Sequence, residues 1–417
     1  MDRKDKDFFY ICVVSSKKNM KKVILAIAAL SIALSVPATV PHKAKIPDIP
    51  GYITLKGDFH LHTCFSDGSV WPTTRVDEAD YDGLDFISIT DHMETHHQHL
   101  ANDFNAKADR NSSYELAVKA AKKYGILVIH GAELTRGLRI FPGHFNTHFI
   151  SDGNSIVAAA EAHNGKYGKD ETRQEEMAIR AGLKEARAQN AFVTWNHPDW
   201  EQQARNVTRW WPIHTELLEG GLIQGIEIFN DYIGYDADAF HWAIEKNLTI
   251  TTGTDAHKPM FQMVDYEKGA YRPMTLVFAR ERSLDGIREA VDNRRTVAVA
   301  DGCVYGREDL VRQLFDACIK ISNIKYSEKK VSFTVSNVSS IPIDLVKGPG
   351  SEDLTYPRHY GINGEETVSL GVNGPDSRKP IGMNEFDVHF KVTNWLVDAD
   401  KPLEVTYHFV MPAKYRK

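Results

Sequence analysis

The segment GDFHLHTCFSDG, residues 57–68, carries the strongest local signal in the chain. It completes a predicted strand, Lys56–His62, and places His60 and His62 two residues apart. Because side chains of a strand alternate between its faces, both imidazoles point the same way and can bind one cation. Asp67 follows in a predicted turn, where its carboxylate can supply an oxygen ligand. An HxH pair alone is common by chance, so its meaning depends on the rest of the chain.

Further segments repeat this arrangement, in which a predicted strand ends on His, Asp or Glu. They are LDFISITDH (84–92), VIHGAELTR (128–136), FVTWNHP (192–198) and TITTGTDAH (249–257). Strands of a parallel α/β barrel end at one face, so these side chains are expected to converge there. Mixed imidazole and carboxylate donors suit Zn, Mn or Fe. The number of donors predicts two to three divalent cations.

Helical segments alternate with these strands and predict a parallel sheet or barrel. The predicted helices are Val70–Tyr81, Ser113–Tyr124, Glu171–Asn190 and Asp236–Lys246. The pattern changes near residue 320. Apolar and polar residues then alternate in Ile319–Val335, Asp387–Val392 and Leu403–Phe409. This alternation predicts a small C-terminal antiparallel β-sandwich.

Composition narrows the classes of function. The chain has 417 residues, 42% hydrophobic and 25% charged, which are globular values and fit one large domain plus a small one. The formal net charge of -6 argues against nucleic acid as a partner, since that affinity comes largely from Lys and Arg. A small molecule is the expected substrate.

The N-terminal residues are typical of a secretory signal peptide. Lys17, Lys18, Lys21 and Lys22 precede a short apolar run, Val23–Val36, which is followed by small residues. We therefore predict a signal peptide over residues 1–40, with the true start possible at Met20, and a linker over 41–54. The alternative is an uncleaved anchor. Cleavage would leave no stable membrane span and an exported, periplasmic chain.

The motifs HLHTCFSDG, ITDH, GAELT, NHP and GTDAH, in this order, resemble those of the PHP superfamily, named for polymerase and histidinol phosphatase domains. The resemblance implies a distorted (β/α)7 barrel over residues 55–305. A helix and the β-sandwich would then occupy residues 306–417. The whole is similar to exported phosphodiesterase-type members of that superfamily.

The resemblance also implies a trinuclear metal site. The ligands of the first cation would be His60, His62, Glu133 and Asp255. The third cation would be bound by Asp67, His92 and His257. Glu133 would bridge to the second, which is also bound by His197 and by a histidine of GHFNTH (143–148). We favour His144 there, because Gly143 gives backbone freedom, while His148 remains the alternative.

The function implied is hydrolysis of small organic phosphate esters, diester or monoester, by a metal-bridging hydroxide. Asp255 would orient the nucleophile or take its proton, and His257 would act at the phosphoryl group with the third cation. Arg136 is a candidate clamp for a phosphate oxygen, or else a surface residue. Two other classes stay open: an amidohydrolase-like carboxyl-ester or amide hydrolase, and a non-catalytic metal-binding module.

Neighbouring residues have less certain roles. Asp91 is expected to orient His92. Three histidines are interpreted as a solvated loop: His96, His97 and His99. Four tryptophans fit either a substrate pocket or the core: Trp195, Trp200, Trp210 and Trp211.

Overall fold

The computed structural model describes most of the chain after the predicted leader. The described residues are 43–94, 109–136, 142–200 and 208–416. The signal peptide predicted over residues 1–40, the first two residues of the linker and the histidines 96, 97 and 99 lie outside them. No helix within the described ranges is both long enough and apolar enough to cross a membrane.

The N-terminal domain is built around short, buried strands. They are β1 (Ile53–Asp58), β2 (Phe86–Ile89), β3 (Leu127–Arg136), β4 (Gly143–His148), β5 (Phe192–Trp195), β6 (Gly225–Asn230), β7 (Gly234–Tyr235), β8 (Thr249–Gly253), β9 (Met274–Ala279), β10 (Thr296–Ala300) and β11 (Cys303–Gly306). Most residues of these strands are buried, as expected of a sheet covered by helices.

Helices follow most of the strands. They are α1 (Pro72–Asp82), α2 (Ser112–Ala121), α3 (Gly153–Glu161), α4 (Glu171–Ala188), α5 (Pro212–Glu219), α6 (Ala237–Glu245), α7 (Leu284–Asp292) and α8 (Glu308–Cys318). Local chemistry sets their ends. Pro72 begins α1, and Gly83 ends it in the left-handed conformation at φ 70°. The carboxylate of Asp170 accepts a hydrogen bond from Arg173 N at the start of α4.

The strand directions differ from the all-parallel arrangement that the strand–helix alternation suggested. β1, β2 and β3 are parallel neighbours, and so are β5, β6 and β8. Between these two sets, β4 runs antiparallel to both β3 and β5. β9 likewise pairs antiparallel with β1. The barrel is therefore a mixed one, because β4 and β9 run antiparallel to their neighbours.

The sheet closes through side chains where the regular ladder stops. Thr252 N, on β8, donates to Thr275 Oγ1 on β9, and this hydroxyl donates in turn to Thr252 O, both at 2.9 Å. Thr296 Oγ1 on β10 donates to Ile250 O at 2.6 Å. These side-chain hydrogen bonds connect β8 to β9 and to β10 at the seam of the sheet.

The C-terminal domain is the antiparallel sandwich predicted from the alternating pattern. Its strands are β12 (Ile319–Tyr326), β13 (Lys330–Asn337), β14 (Ile343–Lys347), β15 (His359–Ile362), β16 (Thr367–Asn373), β17 (Glu385–Asp398) and β18 (Lys401–Val410). The sheet β12–β13–β16 faces the one containing β14, β15, β17 and β18. Phe333 and Phe409 meet between the sheets, with ring centroids 5.2 Å apart.

The two domains share one sheet. β11 of the barrel pairs in parallel with β17 of the sandwich, placing Tyr305 opposite Leu396. Through this pair, the described strands of the barrel and of one sandwich layer form a continuous 15-stranded sheet. The sandwich is therefore hydrogen-bonded to the barrel rather than attached by a free linker.

Candidate metal centre

His60 and His62 lie just beyond β1. The strand ends at Asp58 instead of reaching His62 as predicted, because the Asp58 carboxylate turns back to accept a hydrogen bond from His60 N at 3.0 Å. The buried guanidinium of Arg272 holds the same carboxylate at 2.7 Å. The two imidazoles nevertheless meet, with 3.1 Å between their Nε2 atoms. Both nitrogens can therefore serve one centre.

Two carboxylates complete this first group. Asp255 Oδ1 lies 2.8 Å from His62 Nε2 and 3.2 Å from His60 Nε2. Glu133 Oε2 lies 3.4 Å and 3.6 Å from the same two nitrogens. All four side chains are buried. The structure thus brings together the four residues assigned to the first cation.

The second group forms around the other oxygen of Glu133. Oε1 lies 3.2 Å from His144 Nδ1 and 3.4 Å from His197 Nε2. Asn196 Nδ2 donates to this oxygen at 2.9 Å and so fixes the carboxylate plane. Glu133 lies between the first and second groups, where a bridging ligand would be placed.

The direction of β4 separates His144 from His148. Antiparallel pairing sets His144 opposite Thr135, at the rim of the barrel where the first and second groups lie. His148 is at the other end of the strand. His148 is fully buried, with its ring nitrogens 2.9 Å from Ser88 Oγ and 2.9 Å from Thr194 Oγ1. Burial lowers the pKa of His148 to about 3, so this imidazole is neutral. It is a core residue, and His144 is the one at the site.

The third group lies on the more open side. Asp67 Oδ1 is 3.1 Å from His257 Nε2, and Oδ2 is 3.5 Å from His92 Nε2. His62 Nδ1 approaches the same carboxylate at 3.7 Å. The three residues assigned to the third cation are thus together, and His62 adjoins both this group and the first.

The charges of these groups stabilise one another. Burial opposes ionisation of Asp255, yet the neighbouring imidazoles, His60 first, hold the pKa of its carboxyl well below the usual range. The same holds for Glu133. Burial raises the pKa of its carboxyl, but the charges of His92 and, next, His60 lower that pKa by a larger amount. Both carboxylates are therefore ionised at neutral pH, as metal ligands must be.

The donor set fits divalent cations. Among the described residues, three buried rim atoms have no hydrogen-bond partner: Glu133 Oε2, Asp255 Oδ1 and His144 Nδ1. A buried lone pair left unpaired is costly, and a bound cation would satisfy it. Each of the three groups offers three or four donor atoms within 4.8 Å of one another. Imidazole and carboxylate together are donors that Zn, Mn and Fe accept.

Residues that the sequence motifs did not point to hold the ligands in place. Glu227 Oε1 lies 3.1 Å from His60 Nδ1, and its Oε2 accepts a hydrogen bond from His197 N at 2.9 Å. Asn230 Nδ2 donates to Asp255 Oδ2 at 3.1 Å. Carboxylates commonly orient metal-binding imidazoles in this way. A lone Glu within the apolar segment GIEIF (225–229) was the available signal, because unpaired glutamates are rarely buried.

Asp91 does not take the role that was expected of it. Its carboxylate accepts hydrogen bonds from Thr63 N at 2.6 Å and from Ser66 Oγ at 2.7 Å, which fixes the loop after His62. The ring of His92 is instead placed by Thr135 Oγ1, 2.5 Å from its Nδ1. The prediction that Asp91 orients His92 is wrong, because the Asp91 carboxylate is already fully engaged by the loop.

Two of the candidate ligands lie in strained backbone. Asp255 has φ 52° and His197 has φ 26°, in the left-handed region that non-glycine residues rarely adopt. Gly253, two residues before Asp255, leaves space for His60: a Cβ there would lie 2.3 Å from the His60 Cβ. Such strain is typical of functional sites, where surrounding structure imposes it.

The three groups open into a cavity of about 480 Å³. Trp200 lies on one side, with its ring 4.6 Å from that of His144. Tyr232 lies beside the third group, with its ring 5.5 Å from that of His257. Trp195 is instead in the core, stacked at 3.8 Å on His214. The side chain of Arg136 lies outside the described residues.

Comparisons with protein families match both parts of the chain. A PHP domain matches residues 58–173, and an Ig-like domain matches residues 319–408. These segments contain the HxH motif of the barrel and nearly all of the sandwich. No curated protein matches the chain.

A solved structure is similar over nearly the whole length. It is a two-domain protein from Bacteroides vulgatus, described as containing a predicted PHP-like metal-dependent phosphoesterase. Its sequence is 40% identical, the match covers 88% of this chain and 98% of that one, and the TM-score is 0.77. PsfC from Pseudomonas syringae is 18% identical over 63% of this chain and 96% of its own, with a TM-score of 0.34. An amidohydrolase from Chromobacterium violaceum is 15% identical over 50% and 89%, at 0.33.

Proposed function

Because the chain belongs to the PHP-like metal-dependent phosphoesterases, we propose that it hydrolyses small organic phosphate esters, either diesters or monoesters. One observation carries this proposal. Widely separated imidazoles and carboxylates converge in three adjoining groups at the floor of a single cavity. A small phosphate ester fits a cavity of this volume, which is in the usual range for ligand sites.

The same geometry supports two to three bound cations of Zn, Mn or Fe. The first would be held by His60, His62, Glu133 and Asp255, the second by Glu133, His144 and His197, and the third by Asp67, His92 and His257. When bound, such cations lower the pKa of a coordinated water and offset charge on the phosphoryl oxygens.

The side chains of the chain then have definable tasks. Glu227 orients the imidazole of His60 from behind, leaving its Nε2 directed at the centre. Because the pKa of Asp255 is low, its carboxylate is suited to accept a hydrogen bond from an attacking water and so orient it. It is less suited to take the proton of that water and retain it. His257, beside Asp67, would stand next to the phosphoryl group. Arg136 remains a proposed phosphate clamp.

We also infer that the chain is exported, on the basis of the basic and apolar segments of residues 1–40. Mass spectrometry of protein recovered from the periplasmic fraction would identify a cleaved N-terminus near Ala38. Recovery of the unprocessed chain in the cytoplasm would contradict this inference.

The proposed activity is tested by metal analysis combined with a substrate panel. Purified protein would be assayed with bis(p-nitrophenyl) phosphate, p-nitrophenyl phosphate and p-nitrophenyl acetate. We expect two to three equivalents of transition metal and turnover of a phosphate ester. His197→Ala should lose that turnover while keeping its far-ultraviolet spectrum.

The matched control is His408→Ala, which removes an exposed histidine of the sandwich that is paired with Asp387 at 2.8 Å. It should retain full activity. Preferential turnover of the acetate would indicate a carboxyl-ester hydrolase instead. If the protein binds less than one equivalent of metal and shows no turnover after metal is added back, the remaining interpretation is a non-catalytic module.

A further inference from the structure

The β6–β7 hairpin (residues 225–235) serves the metal centre at several points. Glu227 orients His60, and Asn230 donates to Asp255. The side-chain oxygen of Asn230 also accepts a hydrogen bond from Tyr232 N at 3.0 Å, which fixes the turn that presents Tyr232 to the cavity. The ring of Tyr232 is about half exposed, at 49%, although it lines the site. A substrate bound in the cavity would therefore contact this ring.

The outer strand of this hairpin is attached to the C-terminal domain. Tyr235, on β7, donates its hydroxyl to Ala399 O at 2.6 Å, in the turn between β17 and β18. Its ring stacks on Tyr305, with centroids 4.6 Å apart and planes at 19°. Tyr305 pairs in turn with Leu396 of β17, whose side chain packs in the same apolar cluster.

A second contact reaches the same turn from the helix that follows the hairpin. His241 Nδ1, on α6, lies 3.1 Å from Asp398 Oδ1. From the other side, Lys401 Nζ approaches Glu308 Oε2 at 3.2 Å. Both pairs are largely exposed and contribute little free energy alone. With the Tyr235 hydrogen bond, they define where the turn lies against the barrel.

The described residues that line the cavity all precede residue 258, so the sandwich supplies none of them. Its hydrogen bond with Tyr235 links it to the hairpin that carries Tyr232. Short loops without such support open at low free-energy cost, whereas packed and hydrogen-bonded ones do not.

We propose that the C-terminal domain positions the Tyr232 side of the substrate cavity through Tyr235, whose ring and hydroxyl fasten the β6–β7 hairpin to the β17–β18 turn. This proposal rests on the proposed function, since it assigns Tyr232 a contact with the phosphate ester. Tyr235 is a positioning residue, and it acts on substrate binding rather than on the chemical step.

The test is Tyr235→Phe, which removes the hydroxyl and leaves the stacked ring. KM for the phosphate ester should rise about 2- to 10-fold, as expected for one lost hydrogen bond, with kcat within about 2-fold. Metal content should not change. Amide hydrogen exchange of residues 229–235 should become faster than in the wild type, while that of residues 143–148 stays the same.

Tyr356→Phe is the matched control. Its hydroxyl donates to another backbone carbonyl, that of His389, at 3.0 Å within the sandwich itself. This variant should lose comparable stability without any change in KM or in hairpin exchange. Equal effects of the two variants on KM and exchange would overturn the proposal, because both would then act only through the stability of the domain.

Hydrogen exchange separates failure of this proposal from failure of the proposed function. Should the wild type hydrolyse no ester, the proposed function falls, but the hairpin of Tyr235→Phe must still exchange faster. Unchanged exchange in that variant overturns the positioning role, whatever the activity. Wild-type kcat and KM in Tyr235→Phe, together with faster exchange of the hairpin, would show that the sandwich holds Tyr232 but that Tyr232 does not contact the substrate. This result also contradicts the proposal.

Discussion

The rim of the barrel and the C-terminal sandwich are built under opposite constraints. At the rim, buried carboxylates and imidazoles crowd together, three atoms of the described side chains make no hydrogen bond, and two of the proposed ligands have positive φ. In the sandwich, β13 and β17 alternate between buried apolar and more exposed polar residues. The rim is organised for binding, and the sandwich for stability.

The two regions are stabilised by different interactions. Burying ionised groups is unfavourable unless they are paired, so the rim depends on its surroundings and on bound cations. The sandwich needs neither, because apolar contacts such as Phe386 with Phe409 stabilise it locally. Substitutions of the same kind should therefore have large effects at the rim and small ones in the sandwich.

The largest contrast is expected for two aspartates, each close to a histidine. Asp255→Asn removes a charge 2.8 Å from His62 and should lower kcat/KM by at least about 100-fold, with loss of bound metal, since partners of ligands alone are worth 10- to 100-fold. Asp387→Asn, 2.8 Å from His408 in the sandwich, should change neither. Steady-state kinetics and metal analysis measure both. Full activity of the Asp255→Asn variant would show that Asp255 is not part of the metal centre.

Two glycines give the next contrast. A Cβ at Gly253 would lie 2.3 Å from the His60 Cβ and 2.8 Å from Glu227 Oε1. Gly253→Ala should therefore displace His60 and release metal. It should also lower the free energy of unfolding by more than about 1 kcal/mol. At Gly371 in β16 the nearest atom is Lys330 Cε, at 2.6 Å on a flexible side chain. Gly371→Ala should stay within about 0.5 kcal/mol of the wild type in urea unfolding. Similar losses of stability in the two variants would show that side chains pack no more closely around Gly253 than around Gly371.

A smaller effect concerns pH. His214 accepts a hydrogen bond from Trp211 N and donates one to Pro142 O, so it must be neutral, and burial lowers its pKa to about 4. Because the unfolded chain binds this proton near pH 6.5, stability is full above that pH and is lost as pH falls toward 4. The loss from this residue between pH 7 and pH 5 is about 2 kcal/mol.

Urea unfolding at several pH values, with a chelator present so that metal release does not contribute, measures this loss. His214→Gln should be less stable than the wild type at pH 7 but should show a flatter dependence between pH 7 and pH 5. Parallel curves for the two proteins would show that His214 does not titrate on unfolding.

Much of the site could be predicted from local sequence. His60, His62 and Asp67 lie within one segment, and Glu133, His197 and Asp255 each directly follow or end an apolar strand. A strand that ends on a ligand is visible without any structure. The four predicted helices also match observed helices to within three residues at each end, because hydrophobic periodicity is a local property.

Other features were beyond local sequence because their causes are distant in the chain. The segment GHFNTH contains two histidines, and only the antiparallel direction of β4 decides that His144 reaches the rim. Glu227 and His60 are 167 residues apart, so nothing near either residue indicates their contact. Asp91 was misassigned for the same reason: its partners, Thr63 and Ser66, belong to another loop.

The kind of chemistry follows from the sequence alone, since the identities of the candidate ligands and their order along strand ends restrict the site to imidazole and carboxylate donors for divalent cations. The sequence also indicates the class of each domain, because periodicity distinguishes alternating strands and helices from an alternating antiparallel sandwich. The strand directions, by contrast, became known only from the fold, as did the residues that orient the candidate ligands and the attachment of the sandwich to the β6–β7 hairpin. Those features arise from hydrogen bonds and packing between segments far apart in the chain, whose pairing exists only once the chain has folded.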